Sequence, residues 1–415
     1  MLNKLLAFIR QYDMVKSGDT VICAVSGGAD SMALLWAMYL LREKLNVTLE
    51  AAHFNHHLRG DESNRDEAFV KDFCDGYGIA LHLGEALVTP NKKGLEAAAR
   101  EARYRFFAEL PGKIATAHTA DDNAETVLMH MVRGTGLKGL GGITPVRGNY
   151  IRPMLSVTRE EVLAFLEEYH IPYVTDSSNE TDAFLRNRLR HHVLPFLREE
   201  NPKIAQNLSA MALRLREDEA ALEIQAKAAK SMDVRDLRQL PPAVKNRVLG
   251  EILRDFGVIE PDAEHIALLN AVVESDCPSA SADFPGNVKI ARDYNFLEKV
   301  ETTSSIFYEL PVNGTVDIPG LNLQILCRQE KEGTFCPQGK LVIRSRVSGD
   351  TMRLPGGTKS LKKLYIDKKI PAHRRDSVPV IADDGGVLCV YGLGNNLDRV
   401  TQGEGVSIIF RPYTE

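Results

Sequence analysis

Along the first third of the chain, short apolar runs alternate with longer stretches of helical spacing. Residues 20–25 form a compact run rich in β-branched side chains, and a glycine turn separates it from an apolar helical stretch at 31–41. Residues 49–54, 80–87 and 114–117 repeat the short apolar run. Residues 61–77, 95–110, 122–133 and 159–169 carry the three-to-four-residue periodicity of helices. Strands and helices alternating at this spacing predict an α/β domain with a parallel, Rossmann-like sheet and helices on both faces. In such sheets ligands bind beyond the carboxyl ends of the strands. A short amphipathic helix is expected within residues 1–19.

The pattern changes further on. The helix at 159–169 ends at the Ile171-Pro172 step, and 184–198 reads as a basic helix. Asn201-Pro202 suits the opening of a long polar helix running to about residue 230, a length that often bridges domains. Residues 234–274 are helical, with breaks at Pro241-Pro242 and Pro261. From 279 onward short β-type runs appear at 284–289, 307–310, 321–327, 341–346 and 386–393, separated by Gly and Pro. Boundaries are therefore expected near 215 and 335. Residues 1–215 form an α/β domain with the start of a long linker helix, 216–335 a mainly helical middle domain, and 336–415 a small α+β domain.

A chain of 415 residues with 44% hydrophobic and 26% charged side chains fits two or three folded domains. Its formal net charge of −5 excludes a global basic field, so any nucleic-acid contact must use local patches. No apolar run reaches the ~18 residues of a membrane span. Residues 1–19 lack the core of a signal peptide, and a cytoplasmic, non-membrane protein is expected. The cysteines, Cys23, Cys74, Cys277, Cys327, Cys336 and Cys389, form no Cys-x-x-Cys pair. Their spacing argues against zinc, an iron–sulfur cluster or a redox dithiol.

The first candidate chemistry is the loop Ser26-Gly27-Gly28-Ala29-Asp30-Ser31, between the first strand and its helix. Gly27 and Gly28 let the backbone approach a bulky anion and present N–H groups to it. The next helix aims its positive end at the same place. Ser26 and Ser31 add hydroxyls. Asp30 has the wrong charge for phosphate and makes sense as a ligand of Mg²⁺ bridging phosphates. The loop lacks the Gly-Lys-Ser/Thr of a Walker motif and the third glycine of a dinucleotide fingerprint.

The loop resembles the Ser-Gly-Gly-x-Asp-Ser loop of the N-type ATP pyrophosphatases, the PP-loop family. Its members cleave ATP between the α and β phosphates and adenylate a substrate oxygen, and a nucleophile then displaces AMP. Four further stretches are similar to tRNA(Ile)-lysidine synthetases within that family: 53–60 (His53 to Gly60), 99–106 with Arg100, Arg103 and Arg105, 116–126 (Thr116 to Thr126), and Asp176-Ser177-Ser178-Asn179 ahead of Arg186-Asn187-Arg188-Leu189-Arg190. The likeness covers 20–200 and resumes over 344–380, through Arg344 to Asp350, Lys359 to Lys363, Ile370-Pro371, Arg374-Arg375 and Val378-Pro379-Val380. Residues 215–335 match only in general character.

The resemblance implies an enzyme that uses ATP and Mg²⁺ to adenylate the C2 oxygen of the wobble cytidine of a minor isoleucine tRNA. The amine of free L-lysine then attacks C2 and releases AMP. It implies ATP contacts at Ser26–Ser31, His53, Asn55, Arg59 and His118. Catalytic roles fall on Asp30, Asp122, Glu125 and Arg190. Asp122 and Glu125 stand three apart, so they share a helix face and can hold an ammonium, with one of them as base. Asp121 suits a solvated helix start. His118 suits either phosphate contact or the orientation of a carboxylate. Arg186 and Arg188 are candidates for gripping tRNA phosphates, and Arg186 and Arg190 for steadying a leaving pyrophosphate.

From Arg344 to Arg375 ten Lys or Arg stand against two Asp, the electrostatic footprint of nucleic-acid binding. Lys359, Lys362, Lys363, Arg374 and Arg375 are the candidate tRNA contacts. By resemblance this domain grips the acceptor end and the first domain the anticodon loop, whose bases can be splayed into a pocket at little cost. The oligomeric state is open, and a homodimer is compatible with the sequence. Three other readings compete: a PP-loop tRNA thiolase, which needs catalytic cysteines, an amidotransferase-type synthetase, which needs an ammonia source, and a nucleotide-binding module without catalysis.

Overall fold

The computed structural model describes residues 1–57, 60–86, 95–175, 182, 184–300 and 305–413. The chain divides into two compact units, Met1–Ala221 and Leu222–Glu415.

The first unit begins with α1 (Leu2–Gln11), β1 (Thr20–Ala24), α2 (Ala29–Leu45), β2 (Thr48–Asn55), α3 (Asp61–Tyr77) and β3 (Ala80–Glu85). Next come α4 (Leu95–Ala108), β4 (Lys113–Ala115), α5 (Ala120–Val132), α6 (Leu137–Leu140), β5 (Val146–Arg147) and β6 (Tyr150–Ile151). The remainder is helical: α7 (Arg159–Glu168), α8 (Leu185–Arg188), a π-helical turn at Leu189–Val193, α9 (Leu194–Glu200) and α10 (Ile204–Ala228). The basic helix expected at 184–198 is thus broken into three pieces.

Six strands form one sheet in the order β3-β2-β1-β4-β6-β5, parallel except for the β5–β6 hairpin. The chain leaves β1 toward β2 and β3, then crosses back to β4 on the other side. β1 and β4 therefore flank a topological switch point, where the loops beyond the strands part and leave a crevice. Between Met32 and Leu41 α2 is apolar on every side, and Met32, Leu34, Leu35 and Met38 are fully buried. It lies in the core with α1 and α7, which is why it lacks an amphipathic stripe.

The second unit starts with α11 (Val234–Gln239), α12 (Pro242–Asp255) and α13 (Ala263–Glu274). They pack against an antiparallel meander of β7 (Ser281–Phe284), β8 (Val288–Asp293) and β9 (Phe296–Val300) around Leu249, Ile252, Leu269 and Ile290. The β-run expected at 284–289 is instead split by the turn of the first hairpin, with Phe284 ending β7 and Val288 opening β8. Gly286 and Asn287 take φ of 78° and 57° there and reverse the chain.

The rest of the unit is β-rich: β10 (Phe307–Glu309), β11 (Thr315–Ile318), β12 (Leu323–Phe335), β13 (Val342–Arg344), β14 (Thr351–Leu354) and β15 (Gly357–Ser360). α14 (Leu361–Asp367), β16 (Val380–Asp383), β17 (Gly386–Val390), β18 (Gly394–Asn395) and β19 (Val400–Pro412) complete it. They form a five-stranded antiparallel sheet β10-β13-β16-β17-β18, a three-stranded sheet β11-β12-β19 and the β14–β15 hairpin.

The fold class read from the sequence stands: an α/β first domain with a parallel sheet, a helical middle and a β-rich end. The boundaries move. The break expected at 215 falls inside α10, and the units divide after Ala221. The break expected at 335 would cut β12 away from β19, although the two pair from Leu323 and Pro412 onward. Pairing across some eighty residues leaves no local signal at the strand. Among the described residues no helix is long and apolar enough to cross a membrane.

Candidate active site

The site is built around the loop between β1 and α2. Gly27 has φ +88°, which glycine adopts without strain, and Gly28 caps α2 in an extended conformation. The two serines knit the loop. Ser26 N donates to Ser31 Oγ at 3.1 Å, Ser31 Oγ donates to the Gly28 carbonyl at 2.8 Å, and the two hydroxyl oxygens lie 3.2 Å apart. Val174 N donates to the Gly27 carbonyl at 2.9 Å and pins the loop from outside.

A cleft of about 660 Å³ opens beside the loop, at the carboxyl ends of β1, β2 and β4. That volume suits a nucleotide-sized ligand. Ser26, Asp30 and Ser31 form one wall, and His53 and Asn55 from the end of β2 a second. His118 faces it from the connection before α5 and Asp122 from the first turn of α5, Arg186 and Arg190 from the helices after 184, and Arg100, Arg103 and Tyr104 from α4.

Each side chain is held. His53 is buried and donates from Nδ1 to the Val25 carbonyl at 2.8 Å, so Nε2 carries the lone pair. Burial lowers its pKa against the pull of that bond. Asn55 donates to Glu67 Oε2 at 2.9 Å and accepts from His57 N at 2.8 Å, so it braces the turn after β2. His118 Nδ1 lies 3.0 Å from Thr116 Oγ1. Burial pushes His118 down to about 4, so it is neutral at neutral pH. Asp122 closes a capping box with Thr119, receiving its N–H at 2.9 Å.

Asp122 and Glu125 share one face of α5 and meet two arginines set four residues apart. Arg186 donates from Nη2 to Asp122 Oδ1 at 2.8 Å and from Nε to Glu125 Oε2 at 2.6 Å. Arg190 donates from Nε to Glu125 Oε1 at 2.6 Å and from Nη2 to Oε2 at 3.0 Å. Burial works against the Arg190 charge, but its bonds to Glu125 keep it firmly protonated. Charge-assisted, multiply bonded pairs of this kind fix both partners in place.

Asp30 is different. Burial raises its carboxyl pKa, Arg159 opposes that rise, and the neighbouring Asp122 adds to it. Its Oδ1 is buried and lies against Arg159 Nη1. An acid oxygen in this position, next to two serine hydroxyls, is a donor set that fits a hard divalent cation such as Mg²⁺.

The sequence candidates Ser26, Asp30, Ser31, His53, Asn55, His118, Asp122, Arg186 and Arg190 therefore meet around one cleft. Two residues sit otherwise than expected. Glu125 is 1% exposed, and both its oxygens accept from arginines, so it stands behind Asp122 rather than in the cleft. Asp121 is not solvated: it accepts from the backbone N–H of Arg159 at 2.7 Å and pairs with Arg198. Arg186 joins the carboxylate cluster, whereas Arg188 is exposed and donates to the Asp182 carbonyl at 2.9 Å. Arg59 and Asp176 to Asn179 lie outside the described residues. Arg159 escaped the sequence reading, since nothing local marks a residue some 130 positions from Asp30 as its partner.

In the second unit the basic candidates divide. Lys362 and Lys363 are exposed on α14, opposite the buried Leu361, Leu364 and Tyr365. Lys359 pairs with Asp367 at 2.6 Å, Arg374 with Glu298, and Arg375 Nε donates to the Ile370 carbonyl at 2.9 Å. These last three serve the fold as well as the surface.

Comparison with known proteins now adds to this geometry. Residues 2–197 match the PP-loop domain family, 232–297 the TilS substrate binding domain and 341–408 the TilS substrate C-terminal domain. The chain is 35% identical to a tRNA(Ile)-lysidine synthase of Geobacillus kaustophilus, with 95% of each chain covered. It is 34% identical to that of Bacillus licheniformis, covering 93% of this chain and 91% of the relative. For the Bacillus subtilis protein the identity is 32%, over 94% and 93%. On its loop, its cleft and this full-length likeness, the chain belongs to the tRNA(Ile)-lysidine synthase family.

Proposed function

We propose that this chain is a carbon–nitrogen ligase that makes lysidine at the wobble cytidine of a minor isoleucine tRNA, with ATP and free L-lysine as co-substrates. The observation that carries the reading is one cleft in which a phosphate loop faces a carboxylate–arginine cluster. The cytidine C2 oxygen attacks the α-phosphorus, the bond to the β-phosphate oxygen breaks, and pyrophosphate leaves. The lysine amine then attacks C2, the bond from C2 to the AMP oxygen breaks, and one proton leaves the amine.

The residues divide this work. Backbone N–H groups of Ser26–Ser31 and the N-terminus of α2 receive phosphate, and His53 offers a ring nitrogen toward the base. Asp30 with the Ser26 and Ser31 hydroxyls would hold Mg²⁺, which neutralises phosphate charge when bound. Arg186 and Arg190 meet the charge that develops on the phosphates. Asp122, on the cleft wall, receives the lysine ammonium, while Glu125 keeps both arginines aimed. Lys362 and Lys363 of α14 contact tRNA phosphates. The thiolase alternative loses support: in the first unit Cys23 and Cys74 are buried, and burial pushes both thiols up, Cys74 to about 11.

The test is AMP release from ATP with an isoleucine tRNA bearing a wobble cytidine, with and without lysine. Lysine-dependent release, with lysine incorporated into the tRNA, is expected. Release indifferent to lysine would move the nucleophile elsewhere, and no release with any tRNA would leave a binding module.

A further inference from the structure

The start of α7 stands against the phosphate loop. Arg159, its first residue, sets a guanidinium nitrogen against Asp30 Oδ1. The backbone of Arg159 is anchored: Thr158 closes a capping box with Glu161, and the Arg159 N–H donates to Asp121, itself held by Arg198. The side chain is less constrained, with 44% exposure. Beside it is a second cleft of about 630 Å³, which shares Ser26, Asp30 and Ser31 with the first and is completed by Arg159, Tyr173 and His191. The loop aspartate thus stands where two clefts meet, with the arginine on the wall of the second.

A guanidinium on Asp30 Oδ1 and a divalent cation on the same carboxylate exclude each other, because two positive charges cannot share one buried oxygen without strong repulsion. When a cation takes Asp30, the anchored arginine must turn away. The nearest centre of negative charge is then the phosphate tail held by the loop. We propose that Arg159 is an exchangeable counter-ion: it pairs with Asp30 until a divalent cation arrives, then transfers to the pyrophosphate end of the nucleotide. It thereby couples cation binding to pyrophosphate retention. This rests on the reading that Asp30 holds the cation.

The inference makes opposite predictions for two ligands of one variant. Without nucleotide, Arg159→Ala should bind Mn²⁺ more tightly, because a competitor is gone, and bind magnesium pyrophosphate more weakly, because a partner is gone. Each change is expected to be about tenfold, the usual scale of coupling between two ligands. Arg159→Lys keeps a charge opposite Asp30, and its Mn²⁺ affinity should stay within about twofold of the unchanged protein. The measurements are Mn²⁺ binding by electron paramagnetic resonance and pyrophosphate binding by calorimetry, on the full chain without tRNA or lysine. Unchanged Mn²⁺ affinity in Arg159→Ala, or weakening of both ligands together, overturns the exchange. Unchanged pyrophosphate affinity overturns the transfer. Asp30→Ala separates this from the parent reading: if it binds Mn²⁺ as well as the unchanged protein, the cation assignment to Asp30 fails whatever Arg159 does.

Discussion

At the scale of single residues, the site is organised by how deeply each carboxylate is buried, since Asp122 and Glu125 both face Arg186 and Arg190. Asp122 and Glu125 are chemically alike and three residues apart, yet Asp122 reaches the cleft while Glu125 is sealed behind it by Arg186 and Arg190. An acid that is 1% exposed, outside the cleft lining and with both oxygens on guanidiniums, is a poor site for a substrate ammonium and a good device for aiming the arginines. Glu125→Gln removes the charge and keeps the shape. It should lower turnover by about a hundredfold, the loss that follows small misplacement of reacting groups. The lysine KM should change by less than about threefold, since only Asp122 would touch the amine. Steady-state kinetics decide: preserved turnover with a raised lysine KM would return Glu125 to direct contact.

At the scale of elements, α5 is the part on which the site hangs, and its buried side docks it. Asn123 is fully buried. Its Oδ1 accepts from Ile143 N at 2.7 Å, its Nδ2 donates to Ser209 Oγ at 2.9 Å, and Ser209 donates onward to the Leu155 carbonyl at 2.9 Å. One side chain therefore ties α5 to α10 and to the turn after α6. Gly142, at φ +57°, fits over it, and a Cβ there would fall 2.2 Å from Asn123 Oδ1. Asn123→Ala leaves a buried N–H without its partner, at a cost of about 2 kcal/mol. For a unit of this size that corresponds to a fall in Tm of about 4–8 °C. Scanning calorimetry should show the first unit's transition move and the second unit's hold. A shift below the measurement error would mean that this docking contributes little.

At the scale of the whole molecule, a net-acidic chain would meet a polyanion through a local surface. The count of ten basic residues between Arg344 and Arg375 overstates that surface, because Lys359 and Arg374 are neutralised by Asp367 and Glu298. Lys362 and Lys363, exposed on α14, are the free end of the patch. Reversing both to Glu should weaken tRNA binding and lower the slope of log affinity against log salt by about one unit per lost phosphate contact. Arg374→Ala should move that slope less. Filter binding across a salt series measures both, and an unchanged slope in the double reversal would place the interface elsewhere.

Local chemistry settled much of this protein from the sequence. The loop at 26–31, the ends of α3, the alternation of strands and helices, and the Asp122–Glu125 face were all legible, because glycine freedom, helical periodicity and the apolar content of short strands act between neighbours in the chain. Tertiary structure alone decided the rest. It set Arg159 against Asp30, buried Asp121 under Arg198, sealed Glu125 behind Asp122, and drew β12 into a sheet with β19. Each of these joins positions far apart in sequence, and burial, which fixes whether a charge faces solvent, substrate or another charge, exists only once the distant segments have met.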